Sequence, residues 1–414
     1  MDQRGAWRLL AALAALNVLG YVDRQLVAAL APLLMADLGL SRAEIGLLLG
    51  VAFIVVFSVA TIAMGLLADR LSRPRLIAAG LGVWSAATAL TGAAAGLVPL
   101  AAARALVGVG EATLSPSALA MLADTFPAAR LGLANGVFYA GIPLGFACSF
   151  ALAAWLAPWL GWRACFLVLG VAGLAAVALV WRMADPARRF PGAAGDAPGA
   201  KGGLASRLRR ALADEPALVP VVLGAAALAY ASASSQHGIT WLVQERGFAY
   251  ARAAWLSALV TATAGLGGNL AIGALTDRAR RSGPASRLRA LVTVGCFSLA
   301  VSAAFYLLPP TSPLFYACWL GAQAWMLGWY GPAFAAVQEL AGPESRATVI
   351  GFALLTVNLM GVATGPWITG LIGDRASLTR GLVASLGVGA FGLLLLAVAS
   401  ARLDRARPGG SISP

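Results

Sequence analysis

Charge is scarce in this 414-residue chain. Its 30 basic and 17 acidic residues make up 11% of the total, against roughly 25% in an ordinary soluble domain. Histidine is nearly missing, with His237 alone. That leaves no His cluster to bind a metal and one residue at most around which a Ser-His-Asp triad could form. The cysteines Cys148, Cys165, Cys296 and Cys318 are scattered through apolar runs, with no C-x-x-C pair and no secreted disulfide framework. A Walker lysine motif is also missing. These absences argue against an enzyme and against a bound metal or organic cofactor.

Apolar residues are what the chain has in excess, 60% of the total, with a mean hydropathy of +0.82. A disordered chain needs low hydrophobicity and high charge. A soluble fold of this length could not cover its surface with so few polar groups. The fold expected is an all-α membrane protein. Segments long enough to span a bilayer, about 20 apolar residues each, fall at 7–33, 44–68, 75–96, 98–123, 130–157, 162–183, 216–241, 253–275, 288–308, 313–337, 346–371 and 380–402. The first lacks a small-residue cleavage site leading into a soluble domain and is followed by eleven more, so it is read as retained.

The longest polar stretch, 184–215, is rich in Arg188, Arg189, Pro191, Pro198, Gly202, Gly203, Arg207, Arg209 and Arg210. It divides the spans into six (1–183) and six (216–414), and 203–213 is expected to form a basic amphipathic helix on the membrane surface. With the N-terminus inside, 22 of the 30 basic residues fall in the tails, the even-numbered loops and this linker. Six fall in the odd-numbered loops: Arg42, Arg163, Arg246, Arg252, Arg375 and Arg380. That bias places both termini in the cytoplasm. The net charge of +13 is therefore an orientation label that also attracts anionic lipid heads, and nucleic acid is not an expected partner. Alanine- and arginine-rich composition with a single lysine, Lys201, suggests a bacterial inner membrane.

The halves echo each other. G-L-L-A-D-R-L-S-R-P-R at 65–75 follows the second span, and G-A-L-T-D-R-A-R-R at 273–281 follows the eighth. Pro127 and Arg130 precede the fifth span as Pro343 and Arg346 precede the eleventh, and G-I-P-L-G (141–145) matches G-V-A-T-G-P (361–366). A duplicated six-span unit is typical of transporters, whose substrate sites lie between the repeats.

The D-R-x-x-R signature, its weaker second copy and the six-plus-six layout resemble the major facilitator superfamily over nearly the whole chain. Y-V-D-R-Q (21–25), R-A-L-V-G-V-G-E-A (104–112) and F-Y-A-G-I-P-L-G (138–145) further resemble its spinster-like branch, whose animal members export sphingosine-1-phosphate or lysophospholipids. The R-x-x-G-x-G-E pattern is shared with organic-anion symporters. The signature loop departs from the usual pattern at Ser72 and Pro74. The resemblance implies two pseudo-symmetric six-helix bundles and a secondary active transporter working by alternating access. Its expected substrate is an amphipathic lipid-like molecule or organic anion, and it is expected to act as a monomer. The alternatives are a proton-coupled symporter of a small aromatic or sugar acid and, behind it, a non-transporting receptor or a membrane enzyme. Short outer loops argue against the receptor.

Four ionisable residues fall at membrane depth: Asp23, Arg24, Arg104 and Glu111. Each unpaired charge there costs roughly 2.5–3.5 kcal/mol, so these groups should face a cavity or one another. Arg104 and Glu111 share one helix face about 10 Å apart, too far for a direct pair, so Asp23 or Arg24 is expected between them. A structural pin joining the first span to the fourth is the plain reading. The functional one, which the resemblance supports, makes them the proton-coupling and substrate cluster, with neutralisation of Glu111 releasing Arg104 and protons as the coupling ion. Asp69, Arg70, Arg73 and Arg75, with Asp277 and Arg278 as the second copy, are expected at the cytoplasmic gate. The resemblance docks Asp69 on the start of the eleventh span. Tyr139, Ser235, Gln236, His237, Asn269, Gln323, Trp325, Tyr330 and Asn358 are candidate cavity-lining residues, with His237 also read as an ordinary solvated or hydrogen-bonded residue near a helix end. Glu339 is expected in a salt-bridge network.

Overall fold

The computed structural model describes residues 3–187, 204–280, 283–342 and 345–405. Arg188, Arg189, Pro191, Pro198, Lys201, Gly202, Gly203 and Pro343 lie outside them. Every regular element among the described residues is helical. Stretches long and apolar enough to cross a membrane run over Gln3–Leu38, Arg42–Arg70, Leu97–Thr125, Arg130–Trp181, Leu218–Gln244, Tyr250–Arg280, Ala285–Leu307, Thr348–Arg375 and Leu378–Arg405. One of these holds two spans: Arg130–Trp181 turns back at Gly161, whose φ of 76° and ψ of 170° suit a residue without a Cβ. The third span, Arg73–Thr91, and the tenth, Pro313–Gly328 continued by Tyr330–Leu340, complete the twelve expected from the sequence. An arginine pair opens the third, and Gln323 and Gln338 lie in the tenth.

Local chemistry explains several boundaries. Ser41 and Glu44 form a reciprocal capping box at the start of the second span, satisfying two otherwise orphaned backbone N–H groups. Pro74, the departure in the signature loop, lies in the first turn of the third span, where no intrahelical N–H is needed. In the fourth span Pro116 cannot donate to the carbonyl four residues back. The helix accordingly tightens between Leu97–Glu111 and Leu114–Thr125, with Thr113 N–H bonding back to Gly110 O at 3.2 Å.

The duplication seen in the sequence has a packing basis. A Cβ on Gly145 would lie 2.4 Å from Tyr21 Cβ, and one on Gly141 would lie 2.9 Å from Asn17 Nδ2. In the other half, a Cβ on Gly361 would lie 2.5 Å from Ala226 O and one on Gly365 2.5 Å from Tyr230 O. The fifth span thus seats on the first, and the eleventh on the seventh, through two glycines four residues apart, the spacing that lets membrane helices touch closely.

The linker helix covers Leu204–Asp214, near its expected bounds, and it packs against protein. Ala211 is buried, and Leu208 and Leu212 pack with it against a core that includes Leu218, Val221 and Leu396. Its apolar face is thus covered by protein, while Arg209 and Arg210 stay exposed.

The chain packs as two compact units. One holds residues 1–199 and 236–262; the other holds 200–235 and 263–414. The division differs from an even split of the spans because the end of the seventh span and the start of the eighth belong to the first unit.

Enlarging either crossing glycine should be costly. Gly145→Val or Gly361→Val is expected to destabilise the protein by about 1–3 kcal/mol through overpacking. Gly387→Ala, in a helix with open space around it, should be neutral or stabilising by up to about 1 kcal/mol. Thermal unfolding of the purified variants in detergent measures the difference.

Candidate functional site

The four intramembrane charges come together in one interleaved cluster. Asp23, in the first span, is 1% exposed, and its Oδ1 accepts from Arg104 of the fourth span at 3.0 Å. The adjacent Arg24 donates through Nε to Glu111 Oε2 at 2.5 Å. Neighbouring residues on one helix thus serve partners seven residues apart on another. The short Asp23 meets Arg104 directly. Arg24 is long, and side chains of helical residues lean toward their own N-terminus, which carries its head toward Glu111.

The surroundings are dry and aromatic. Arg104 and Glu111 are each 2% exposed. The Arg24 guanidinium lies over the rings of Phe57 (4.3 Å), Tyr21 (4.8 Å) and Phe53 (5.1 Å), and Arg104 lies 4.9 Å over Phe53. Such faces attract cations most strongly when water is excluded. Thr88 of the third span donates to Asp23 Oδ2 or to Trp84 O. Two atoms remain without a hydrogen-bond partner, Arg104 Nε and Glu111 Oε1. Arg24 is the member with access to the outside, its side chain 21% exposed.

Glycine makes this assembly possible. A Cβ on Gly108 would meet Phe53 O of the second span at 3.0 Å, and one on Gly110 would meet Gly80 O of the third at 2.6 Å. Two residues apart lie on nearly opposite faces of a helix. The G-x-G before Glu111 therefore draws the second and third spans onto the fourth from two sides, which brings in Phe53 and Thr88. The pairing also corrects one expectation. Glu111 holds Arg24, not Arg104, so neutralising Glu111 frees Arg24 and leaves the Asp23–Arg104 pair in place.

The signature-loop residues separate. Arg73 turns inward and is 3% exposed. It pairs with Asp124 at the end of the fourth span (2.5 Å) and with Asp185 beyond the sixth (2.8 Å), and it donates to Pro186 O at 2.7 Å. Asp69 and Arg70 are exposed in the last turn of the second span, and Arg75 lies 5.9 Å over Trp181. In the second unit the central cation is Arg287, which joins Asp277 (2.8 Å) and Glu339 (3.5 Å), while Arg280 also pairs with Glu339. Arg278 is exposed. Asp124, Asp185 and Arg287 escaped the sequence reading. They sit at helix ends, where a charge looks like a solvated anchor, and only the return of a distant span makes them partners.

The remaining candidates scatter. Tyr139 is exposed beside Phe138, whose carbonyl accepts from Asn17 Nδ2 at 2.7 Å. Ser235 donates to Ser232 O at 2.6 Å and touches Met326 Sδ at 3.2 Å. Trp329 Nε1 donates to Ser232 Oγ at 2.8 Å. Gln236, Asn269, Gln323 and Asn358 are half-buried, Asn358 within a π turn at Val357–Val362. Tyr330 is exposed and stacks on Phe334. Trp325 departs from the expected lining, packing into the hydrophobic core of its unit against Gly295. His237 is fully buried in a 3₁₀ turn, Ser235–His237, which leaves the hydrogen-bonded reading of it and removes the solvated one.

Comparisons with known proteins bear on the family and the fold. The family model for the Major Facilitator Superfamily matches residues 13–366. An MFS-type efflux pump of Mycolicibacterium smegmatis is 31% identical over 404 residues, 97% of this chain and 91% of that protein. Protein spinster of Drosophila melanogaster is 31% identical over 186 residues, 45% of this chain and 31% of its own length. The crystal structure of a bacterial homolog of the human lysosomal transporter Spinster, inward-facing and unoccupied, superposes with a TM-score of 0.86 at 20% identity, covering 99% of this chain and 100% of that one.

Breaking the inner pair should expose its structural cost. Asp23→Ala strands the Arg104 guanidinium in apolar surroundings and is expected to lose roughly 3–5 kcal/mol of stability. Asp23→Leu combined with Arg104→Met should recover much of that loss, because no lone charge remains. Arg163→Ala, which removes a half-exposed partner of Asp37, should leave thermal unfolding in detergent nearly unchanged.

Proposed function

The chain belongs to the Major Facilitator Superfamily, and from that premise we propose that it is a proton-coupled secondary transporter of an amphipathic, anionic substrate. The observation that carries this reading is the state of Glu111. Its carboxylate is buried, one oxygen is held by Arg24, and the other has no partner. A proton can add to the open oxygen without displacing an existing bond. Once Glu111 is neutral, the charge of Arg24 is uncompensated in a dry site, and an anionic head group is the natural replacement.

Several features support the amphipathic substrate. Arg24 is the partly exposed member of the cluster, and Tyr21, Phe53 and Phe57 surround it with aromatic surface. That combination suits a charged head followed by an apolar body. The similarity to Drosophila Protein spinster over 186 residues is in keeping with the resemblance to the spinster-like branch carried by the sequence motifs. Asp23, Arg104 and Thr88 form the fixed part that holds three spans together, and Arg24 and Glu111 form the exchangeable part. Transport proceeds by exposing the exchangeable pair to one side of the membrane and then the other, driven by the proton gradient, with no organic cofactor. The excess of basic residues in the tails, linker and even-numbered loops supports cytoplasmic termini in a bacterial inner membrane.

Proteoliposome transport tests the proposal. Native protein is expected to accumulate substrate when a pH gradient is imposed, and lysophospholipids are expected to compete. Glu111→Gln should lose gradient-driven accumulation by at least tenfold while retaining substrate binding. Undiminished accumulation by Glu111→Gln sinks the coupling role. Competition by sugar acids alone sinks the amphipathic substrate.

A further inference from the structure

The buried cluster sets two arginines against two carboxylates and is electrically neutral. Among the described residues, the charged groups acting on Glu111 are Arg24, Asp23 and Arg104, and those acting on Asp23 are Arg104 and Arg24. Its other neighbours are Tyr21 of the first span, Phe53 and Phe57 of the second, and Thr88 of the third. None of these carries a charge near neutral pH. Protonation of Glu111 therefore takes the sum from zero to a single positive charge. Arg104 cannot supply a second one, because it stays paired with Asp23 and both are buried.

The donors left for a ligand are few. Arg24 holds Glu111 through Nε alone, and its two terminal nitrogens make no hydrogen bond among the described residues. Guanidinium N–H groups all lie in one plane, so a ligand meets them along an edge, as a two-pronged fork. That fork matches two oxygens on one centre, as in a carboxylate or a phosphodiester. A phosphate monoester brings a third terminal oxygen and a second negative charge. For these the cluster offers the rings of Phe57, Tyr21 and Phe53 and no further cation. A charge left unmatched in such dry surroundings weighs heavily against binding.

We infer that the site selects its substrate by charge number: it takes a head group with one negative charge, a carboxylate or a phosphodiester, and rejects one with two, such as a phosphate monoester. The inference rests on the transporter reading above, in which a neutral Glu111 frees Arg24, and adds the valence of the head group to it. One proton and one monoanion carry no net charge together, so they leave the cluster as neutral as before. A dianion would leave it with an unbalanced negative charge. The same count gives a way to change the preference. Removing the Asp23 charge deprives Arg104 of its partner, and the proton-loaded cluster then carries two positive charges, which suits a dianion.

Titration calorimetry on the full chain in non-ionic detergent tests it with two probes of equal chain length, decyl methyl phosphate and decyl phosphate. The first is a monoanion throughout the pH range used. The second acquires its second charge with a pKa of about 6. Glu111→Gln fixes position 111 as neutral, so pH then acts on the probe. At pH 8 this variant is expected to bind decyl methyl phosphate at least about tenfold more tightly than decyl phosphate. At pH 5 the two should bind about equally. Asp23→Asn added to Glu111→Gln should reverse the preference at pH 8, and the first comparison stands without it should the double variant fold poorly. Equal binding of the two probes by Glu111→Gln at pH 8, or tighter binding of decyl phosphate, overturns charge selection and leaves the transporter reading standing. A folded double variant that still prefers the monoanion also overturns it. Binding of neither probe by Glu111→Gln overturns both the selection and the release of Arg24 on which it rests.

Discussion

Four ionised groups in an apolar medium must cancel one another locally, and the first unit is arranged around that requirement. Charges of opposite sign on a single helix face cannot meet when seven residues separate them, so a second helix has to supply the missing partners. Asp23 and Arg24 do this in alternation, acid to base and base to acid. The solution demands short helix-to-helix distances, because Asp23 has little reach. Gly108 and Gly110 supply them by letting the second and third spans close on the fourth from two sides. The glycines beside Glu111 are thus part of the electrostatic solution even though they carry no charge.

The two halves share a frame and differ in content. Paired glycines seat the fifth span on the first and the eleventh on the seventh at matching places, and a buried arginine ties helix ends together in each unit, Arg73 in one and Arg287 in the other. Sterics at such crossings favour glycine, and a buried guanidinium needs a carboxylate to balance its charge. Interior positions away from them are free to diverge. In the first half they hold the charge cluster; in the second they hold hydroxyl and indole groups such as Ser232, Ser235 and Trp329, which satisfy one another.

Much of this was legible in the sequence, and the limits have physical causes. Twelve spans, the duplication and the four intramembrane charges follow from hydropathy and spacing, because a bilayer penalises every other arrangement. The pairing within the cluster did not follow. Spacing along one helix locates Arg104 and Glu111 on a face but does not set the rotation of the first span against them, and that rotation decides which carboxylate meets which arginine. The burial of Trp325 and His237 is illegible for a related reason: an aromatic or imidazole ring suits a lining and a core equally well, and only packing separates the two. The π turns at Thr261–Gly265 and Val357–Val362 leave no composition signal, since one extra residue in a helical turn changes register without changing hydropathy.

The fourth span ties the interior cluster to the helix-end network. Arg104 and Glu111 lie on its first segment, Asp124 on its second, and the tightened turn before Pro116 separates them. Glu111 is the last residue of the first segment. Asp124 holds Arg73, and Arg73 holds Asp185, so the second segment is fastened to the ends of the third and sixth spans. A rearrangement at Glu111 therefore occurs next to the one place in this helix where backbone hydrogen bonding is already irregular, and the fastened segment serves as its fixed reference. The net charge of +13 has no part in that relation. The cluster sums to zero, and its use depends on which of its two pairs is the easier to break: Arg24 with Glu111, partly exposed and with an open carboxylate oxygen, or Asp23 with Arg104, closed in by Thr88 and Phe53.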